Sequence, residues 1–137
     1  MSDLLSSKYQ NFKVLVVEDN KFIRDLVCSL LGQIGFKEIL RASDGEVALM
    51  MLESKGKPDL VICDIDMKPM DGFAFMDRLR ELGHKGTFKS PTIVLTSHAE
   101  TDFVKKAKEF EIEAYLVKPV SKTSLETRIA TTLGKRL

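Results

Sequence analysis

Two cysteines, no tryptophan and no excess of either charge set the first limits on this chain. Cys28 and Cys63 both lie in apolar stretches, with no Cys or His at metal-ligand spacing, so they read as reduced core thiols and speak against a disulfide or zinc site. Lys plus Arg total 21 against 20 for Asp plus Glu. No net field therefore draws the molecule to nucleic acid or to a membrane surface, and any charge-based function must be local. Nowhere do about 18 apolar residues follow one another. The opening MSDLLSSKYQN carries an early acid and no apolar run of signal length; a cytoplasmic protein is expected. The nucleotide cradles G-x-x-x-x-G-K and G-x-G-x-x-G are missing after the first apolar run, as are repeats and low-complexity tracts.

What is present is one alternating pattern, in a chain of 137 residues that has room for a single domain with a real core. Five short runs read as strands: Lys13–Val17, Lys37–Arg41, Asp59–Cys63, Thr92–Leu95 and Ala114–Val117. Most are apolar without alternation, as strands covered on both faces must be. Between them lie stretches of helical period: Ile23, Val27, Leu30, Leu31 and Ile34; Val47, Met50, Met51 and Ser54; Phe75, Leu79 and Leu82; Phe103, Ala107 and Phe110. A fifth helix is expected after Ser121. Ser43 with Glu46 reads as a capping box, and Asp71 and Ser121 as N-caps, while Asp19 or Asn20 could cap the first helix. Gly35, Gly56 and Gly83 stand where the first three helices should stop. This punctuation predicts an α/β fold, a doubly wound parallel sheet with helices on both faces. Residues 1–11 are expected to be an N-terminal extension, 12–137 the domain, and nothing remains for a second, output domain. Residues 83–91 (GHKGTFKSP) read as a longish loop.

In an open parallel sheet, ligands bind outside the carboxyl ends of the strands. Glu18 and Asp19 follow the first strand, Asp64 the third, Thr96 the fourth and Lys118 the fifth. Taken singly, an acid after a strand is more often a helix cap, a Thr a solvated loop residue and a Lys a surface charge. Together, three clustered carboxylates would raise one another's pKa values unless a cation sat among them, which argues for a divalent ion. Oxygen ligands without His or Cys favour Mg2+. A dication beside a carboxylate, with an ammonium and a hydroxyl opposite, suits phosphoryl transfer onto Asp64.

The runs VLVVEDN, CDIDMKPMDG, VLTS and YLVKPV together resemble the receiver domain of two-component response regulators, over about residues 12–133, in the single-domain form similar to chemotaxis regulators. The resemblance implies a five-stranded, flavodoxin-like (βα)5 sheet of order 2-1-3-4-5. It implies that Asp64 is the phosphoacceptor, that Glu18, Asp19, Asp64 and the backbone carbonyl of Asp66 hold Mg2+, and that Lys118 pairs with the phosphoryl group. Thr96 and Tyr115 become the switch pair, and Lys118-Pro119 a cis peptide. The implied partners are a sensor histidine kinase or histidine phosphotransfer protein and a target protein. The target would dock on a face formed by Ala99–Glu111, Ala114–Val117 and Ser121–Leu133, where Phe103, Lys105, Lys106 and Lys108 are recognition candidates, each equally readable as core or solvated face. Such a protein is no enzyme in the ordinary sense; it catalyses only its own phosphorylation and dephosphorylation. Asp66 and His98 would flank the water that hydrolyses the acyl phosphate, although His98 reads equally well as an exposed helix start.

Two departures from the pattern stand out. Lys68 occupies the place where many relatives have proline, with Pro69 one residue later, and Ser97 stands where Ala or Gly is common. Asp71 and Gly72 read only as the start of the next helix. The rival is a haloacid-dehalogenase-like phosphatase using Asp64 and Asp66 as its D-x-D, but there the motif follows the first strand. Within the favoured family a phosphate relay or sink without output stays open beside a target-binding role.

Overall fold

The computed structural model describes residues 7–66, 71–84, 90–97, 105, 109 and 114–134. Five strands, β1 (Lys13–Val17), β2 (Glu38–Ala42), β3 (Leu60–Asp64), β4 (Thr92–Thr96) and β5 (Ala114–Val117), form one sheet in the order β2-β1-β3-β4-β5. All four neighbouring pairs are parallel. The helices with both ends among the described residues are α1 (Lys21–Ile34), α2 (Gly45–Lys55), α3 (Gly72–His84) and α4 (Lys122–Gly134). The last of these is the fifth helix of the sequence pattern. The stretch of the fourth, Ala99–Glu111 with Phe103, Lys106, Ala107, Lys108 and Phe110, lies outside the described residues except Lys105 and Glu109, both helical and exposed. His98, Lys68 and Pro69 and most of the loop ahead of β4 also lie outside them.

The three central strands are apolar apart from their end residues because successive side chains enter two different cores. Val14, Val16, Leu60, Ile62, Ile93 and Leu95 face one core, shared with Val27 and Leu31 of α1 and Leu125 and Ile129 of α4. Leu15, Val17, Val61, Cys63 and Val94 face the other, shared with Ala48 and Leu52 of α2 and Phe75 and Leu79 of α3. The edge strands behave differently. In β5 buried Ala114 and Leu116 alternate with exposed Tyr115 and Val117, and β2 is only partly covered.

Several local expectations are corrected. β2 and β3 each begin and end one residue later than their apolar runs suggest, because register with β1 carries pairing on to Ala42, and register with β4 carries it to Asp64. The α2 cap is Asp44, not Ser43: its Oδ1 accepts from the Val47 amide at 2.9 Å. A carboxylate one residue nearer the helix takes the orphan N–H that the capping box had assigned to the serine. Met50 is 68 % exposed, and Ala48 and Leu52 take the buried face; two adjacent methionines fit the helical period equally well, and only the sheet's position decides between faces. α3 runs through Gly83 to His84. Asn20, Asp71 and Ser121 do cap α1, α3 and α4, accepting from the amides of Ile23, Ala74 and Ser124. α1 and α2 end at Gly35 and Gly56, both with positive φ.

The N-terminal segment is also less detached than its polarity suggests. A 3-10 turn at Ser7–Tyr9 buries Tyr9 and stacks its ring on Phe36, with centroids 4.8 Å apart. Phe12 meets Tyr9 edge-on at 6.0 Å. Tyr9 thereby joins the core that α1 and α4 cover.

Candidate functional site

Parallel pairing puts every strand's carboxyl end on the same edge, so residues far apart in sequence meet there. Asp64 is the last residue of the central strand β3, buried, with its neighbour Ile65 still held to β4 by a hydrogen bond from its amide to the Leu95 carbonyl at 3.0 Å. Glu18 and Asp19 follow β1. The Glu18 amide donates to the Ala42 carbonyl at 3.1 Å and so anchors this turn on β2. Lys118 follows β5, its amide donating to the Thr96 carbonyl at 2.7 Å; the Lys118–Pro119 peptide is cis.

These anchors converge three carboxylates and one ammonium. One oxygen from each of Glu18, Asp19 and Asp64 lies within 4.8 Å of the other two. Lys118 Nζ donates to Asp64 Oδ1 at 3.0 Å and lies 3.2 Å from Glu18 Oε1. Asp64 Oδ1 also accepts from the Asp66 amide at 3.2 Å, and Glu18 Oε2 from the Asn20 amide at 3.2 Å. Glu18 and Asp64 are buried, whereas Asp19 faces solvent.

Electrostatics show the strain in this grouping. Burial first, and then the Asp64 carboxylate with which it shares a hydrogen bond, push the Glu18 carboxyl up to about 8 from its ordinary 4.5, against the pull of the Asn20 amide and Lys118. Burial would lower the Lys118 pKa, but Asp64 and Glu18 outweigh it and hold the ammonium above its ordinary value. Glu18 Oε1 is buried and accepts no hydrogen bond of good geometry; its near neighbour is the Lys118 ammonium of the ion pair. Three clustered carboxylates, which supply hard oxygen ligands and would otherwise repel one another, form a set that fits a divalent cation such as Mg2+.

Thr96 ends β4 fully buried. The face of β4 that carries Val94 also carries Thr96, and Val94 is in register with Tyr115, so Tyr115 lies diagonally across from Thr96 on one face of the sheet. Tyr115 is 37 % exposed, neither sequestered nor free of the sheet. Asp66 is an exposed residue just past the site. The two thiols take no part: burial raises the pKa of both, and for Cys63 the Asp64 carboxylate adds to it. No helix among the described residues is long and apolar enough to cross a membrane.

Two residues of the site escape motif reading. Arg24 Nη1 donates to the Glu18 backbone carbonyl at 2.8 Å, clamping the acid turn from one turn into α1; an arginine three residues into a helix carries no sequence signal for this. Gly72 is the other. Its amide donates to the Ile65 carbonyl at 3.0 Å, and it is buried against the backbone that carries Asp64. The adjacent pair Asp71-Gly72 was the available signal, and helix initiation accounted for it too readily.

Comparison with known proteins agrees with this arrangement. Residues 14–130 match the family described as response regulator receiver domain. The chain is 32 % identical to chemotaxis protein CheY-3 of Vibrio cholerae over 123 residues, 88 % of this chain and 90 % of that protein. It is 36 % identical to the transcriptional regulatory protein PdtaR of Mycobacterium tuberculosis over 113 residues, 82 % of this chain but 52 % of that protein, so it spans about half the length of that relative. Among solved structures, V. cholerae chemotaxis protein CheY4 superposes with a TM-score of 0.79 at 31 % identity, over 89 % of this chain and 98 % of that one.

Proposed function

Because the chain belongs to the response regulator receiver domain family, a family of signalling proteins and not classical enzymes, we propose that it accepts a phosphoryl group on Asp64 and passes that event to a partner. The observation that carries the reading is the Asp64 carboxylate itself, fixed at the end of the central strand, 3.0 Å from Lys118 Nζ and clustered with Glu18 and Asp19. The carboxylates of Glu18, Asp19 and Asp64 and the backbone carbonyl of Asp66 would hold Mg2+, which when bound neutralises charge on the phosphoryl oxygens. Lys118 adds a second positive charge from the β5 side, and the Thr96 hydroxyl donates a hydrogen bond to the same oxygens. An Asp64 oxygen forms the new bond to phosphorus as the bond to the donor's histidine nitrogen breaks, the bonding pair leaving with the imidazole.

The donor is a sensor histidine kinase or histidine phosphotransfer protein in the cytoplasm. Phe22, 87 % exposed, and Leu26 one turn on present an apolar stripe on the helix that starts beside the acid pair, where such a donor would lodge. Movement of Thr96 toward the phosphoryl oxygens frees space for the neighbouring Tyr115, and the surface around β5 and α4 changes with it; this is the face offered to a target. Asp66 and His98 set the lifetime of the acyl phosphate by steering or blocking its hydrolytic water. The phosphatase reading loses its support with the family assigned.

The deciding experiment adds Mg2+ and a small acyl phosphate and follows the intact mass. A base-labile phosphoryl adduct on the wild type that disappears in Asp64→Asn is expected. A wild type that stays unmodified, or an Asp64→Asn protein that is still labelled, overturns the assignment.

A further inference from the structure

Gly72 opens α3, eight residues after Asp64, and its neighbours explain the residue type. A Cβ at this position would lie 2.5 Å from the Asp64 carbonyl oxygen, 2.8 Å from the Ile65 Cα and 3.0 Å from the Ile65 Cδ1. The first two are backbone atoms, which cannot rotate aside as a side-chain tip would. The φ of Gly72 is not among the positive ones, so close approach, and not backbone conformation, demands glycine here. The approach is bonded as well as tight: the Gly72 amide donates to the Ile65 carbonyl at 3.0 Å, while the Ile65 amide is held by Leu95 at 3.0 Å. Ile65, the residue next to Asp64, is thus gripped on both sides, its amide by β4 and its carbonyl by the first turn of α3. That turn is itself set by Asp71 Oδ1, which accepts from Ala74 at 2.8 Å.

We propose that Gly72 is a positioning residue for phosphoryl transfer: its missing side chain lets α3 pack against and hold the Asp64–Ile65 backbone, which aims the Asp64 carboxylate at Lys118 and at the acids that follow β1. The proposal rests on Asp64 being the phosphoacceptor. Any Cβ must push α3 or the Asp64 backbone away by several tenths of an ångström. In-line attack tolerates little such movement, since a misplacement of about 1 Å can cost on the order of a hundredfold in rate.

The test compares wild type, Gly72→Ala, Tyr9→Ala and Asp64→Asn with a small acyl phosphate and Mg2+. In the reaction an Asp64 oxygen bonds to phosphorus and the donor's carboxylate leaves with the electron pair of the broken P–O bond. Tyr9 lies in the core against Phe36, outside the acid cluster, so its truncation controls for lost stability. Gly72→Ala should lower the rate constant at saturating donor by about tenfold or more, while Tyr9→Ala keeps it within about twofold of wild type. A Gly72→Ala rate within twofold of wild type overturns the proposal, as does an equal loss in Tyr9→Ala. Should Gly72→Ala fail to fold, the wild-type amide spectrum decides: adduct formation should shift the Gly72 signal more than that of Gly56, and an unmoved Gly72 refutes the coupling. If the wild type takes no label, or Asp64→Asn still does, the phosphoacceptor assignment has failed and this proposal falls with it.

Discussion

Replacing Glu18 by glutamine should stabilise the metal-free protein at alkaline pH while weakening its response to Mg2+. The folded protein raises the Glu18 carboxyl from 4.5 to about 8. Within that window the native state therefore holds a proton that the unfolded chain has released. Metal-free stability then falls as pH rises from about 4.5 to about 8, and the loss levels off above that range. At about 1.4 kcal/mol per unit, the full gap is worth roughly 5 kcal/mol. Relaxation and water entering past exposed Asp19 reduce the measurable part to about 2–4 kcal/mol. Glutamine keeps the shape and cannot ionise. Glu18→Gln in EDTA should exceed wild type by that amount at pH 8.5 and nearly match it at pH 5. Mg2+ should stabilise the wild type at pH 8.5 and the variant much less. Urea melts followed by circular dichroism read this directly, since the chain has no tryptophan. A difference between the two proteins that stays flat from pH 5 to pH 8.5 would refute the reasoning, because it would mean that Glu18 is ionised in the folded state at both ends.

Two further outcomes follow from the surface and the far core. Tyr9→Ala should cost about 3 kcal/mol in urea denaturation, because it removes a buried ring stacked on Phe36; an unchanged midpoint would show the N-terminal turn to be dispensable. Phe22→Ala should slow phosphoryl transfer from a histidine kinase or phosphotransfer protein about tenfold and leave labelling by a small acyl phosphate unchanged. Equal loss with both donors would mean that Phe22 supports the site and not the docking.

The βα alternation, the two-faced central strands and the four site-bearing strand ends were all legible in the chain. Each depends on local composition: apolar runs of strand length, helical periods between them, and polar residues at the boundary. Less legible were features for which two neighbouring residues satisfied one local rule. Ser43 and Asp44 both make acceptable caps, and the choice fell to the carboxylate one residue nearer the helix. Met50 and Met51 both fit the period of α2, and only packing against β1 and β2 left Met50 outside. Tyr9 fell within the expected N-terminal extension because its partner, Phe36, is 27 positions away.

What the amino-acid sequence determined by itself was the list of candidate site groups and their addresses along the strands: an acid pair after β1, Asp64 at the end of an apolar strand, Thr96 at the end of β4 and Lys118 just after β5. Strand periodicity and loop chemistry are short-range, so they can be read along the chain. What only the tertiary structure decided was how those groups act on one another. The contact of Lys118 with Asp64 spans 54 positions, the raised Glu18 carboxyl depends on burial and on the Asp64 carboxylate brought beside it, and the need for glycine at 72 arises from a backbone that passes it eight residues earlier. Coulomb energy, desolvation and steric exclusion depend on separation in space, which the chain acquires only when the sheet closes.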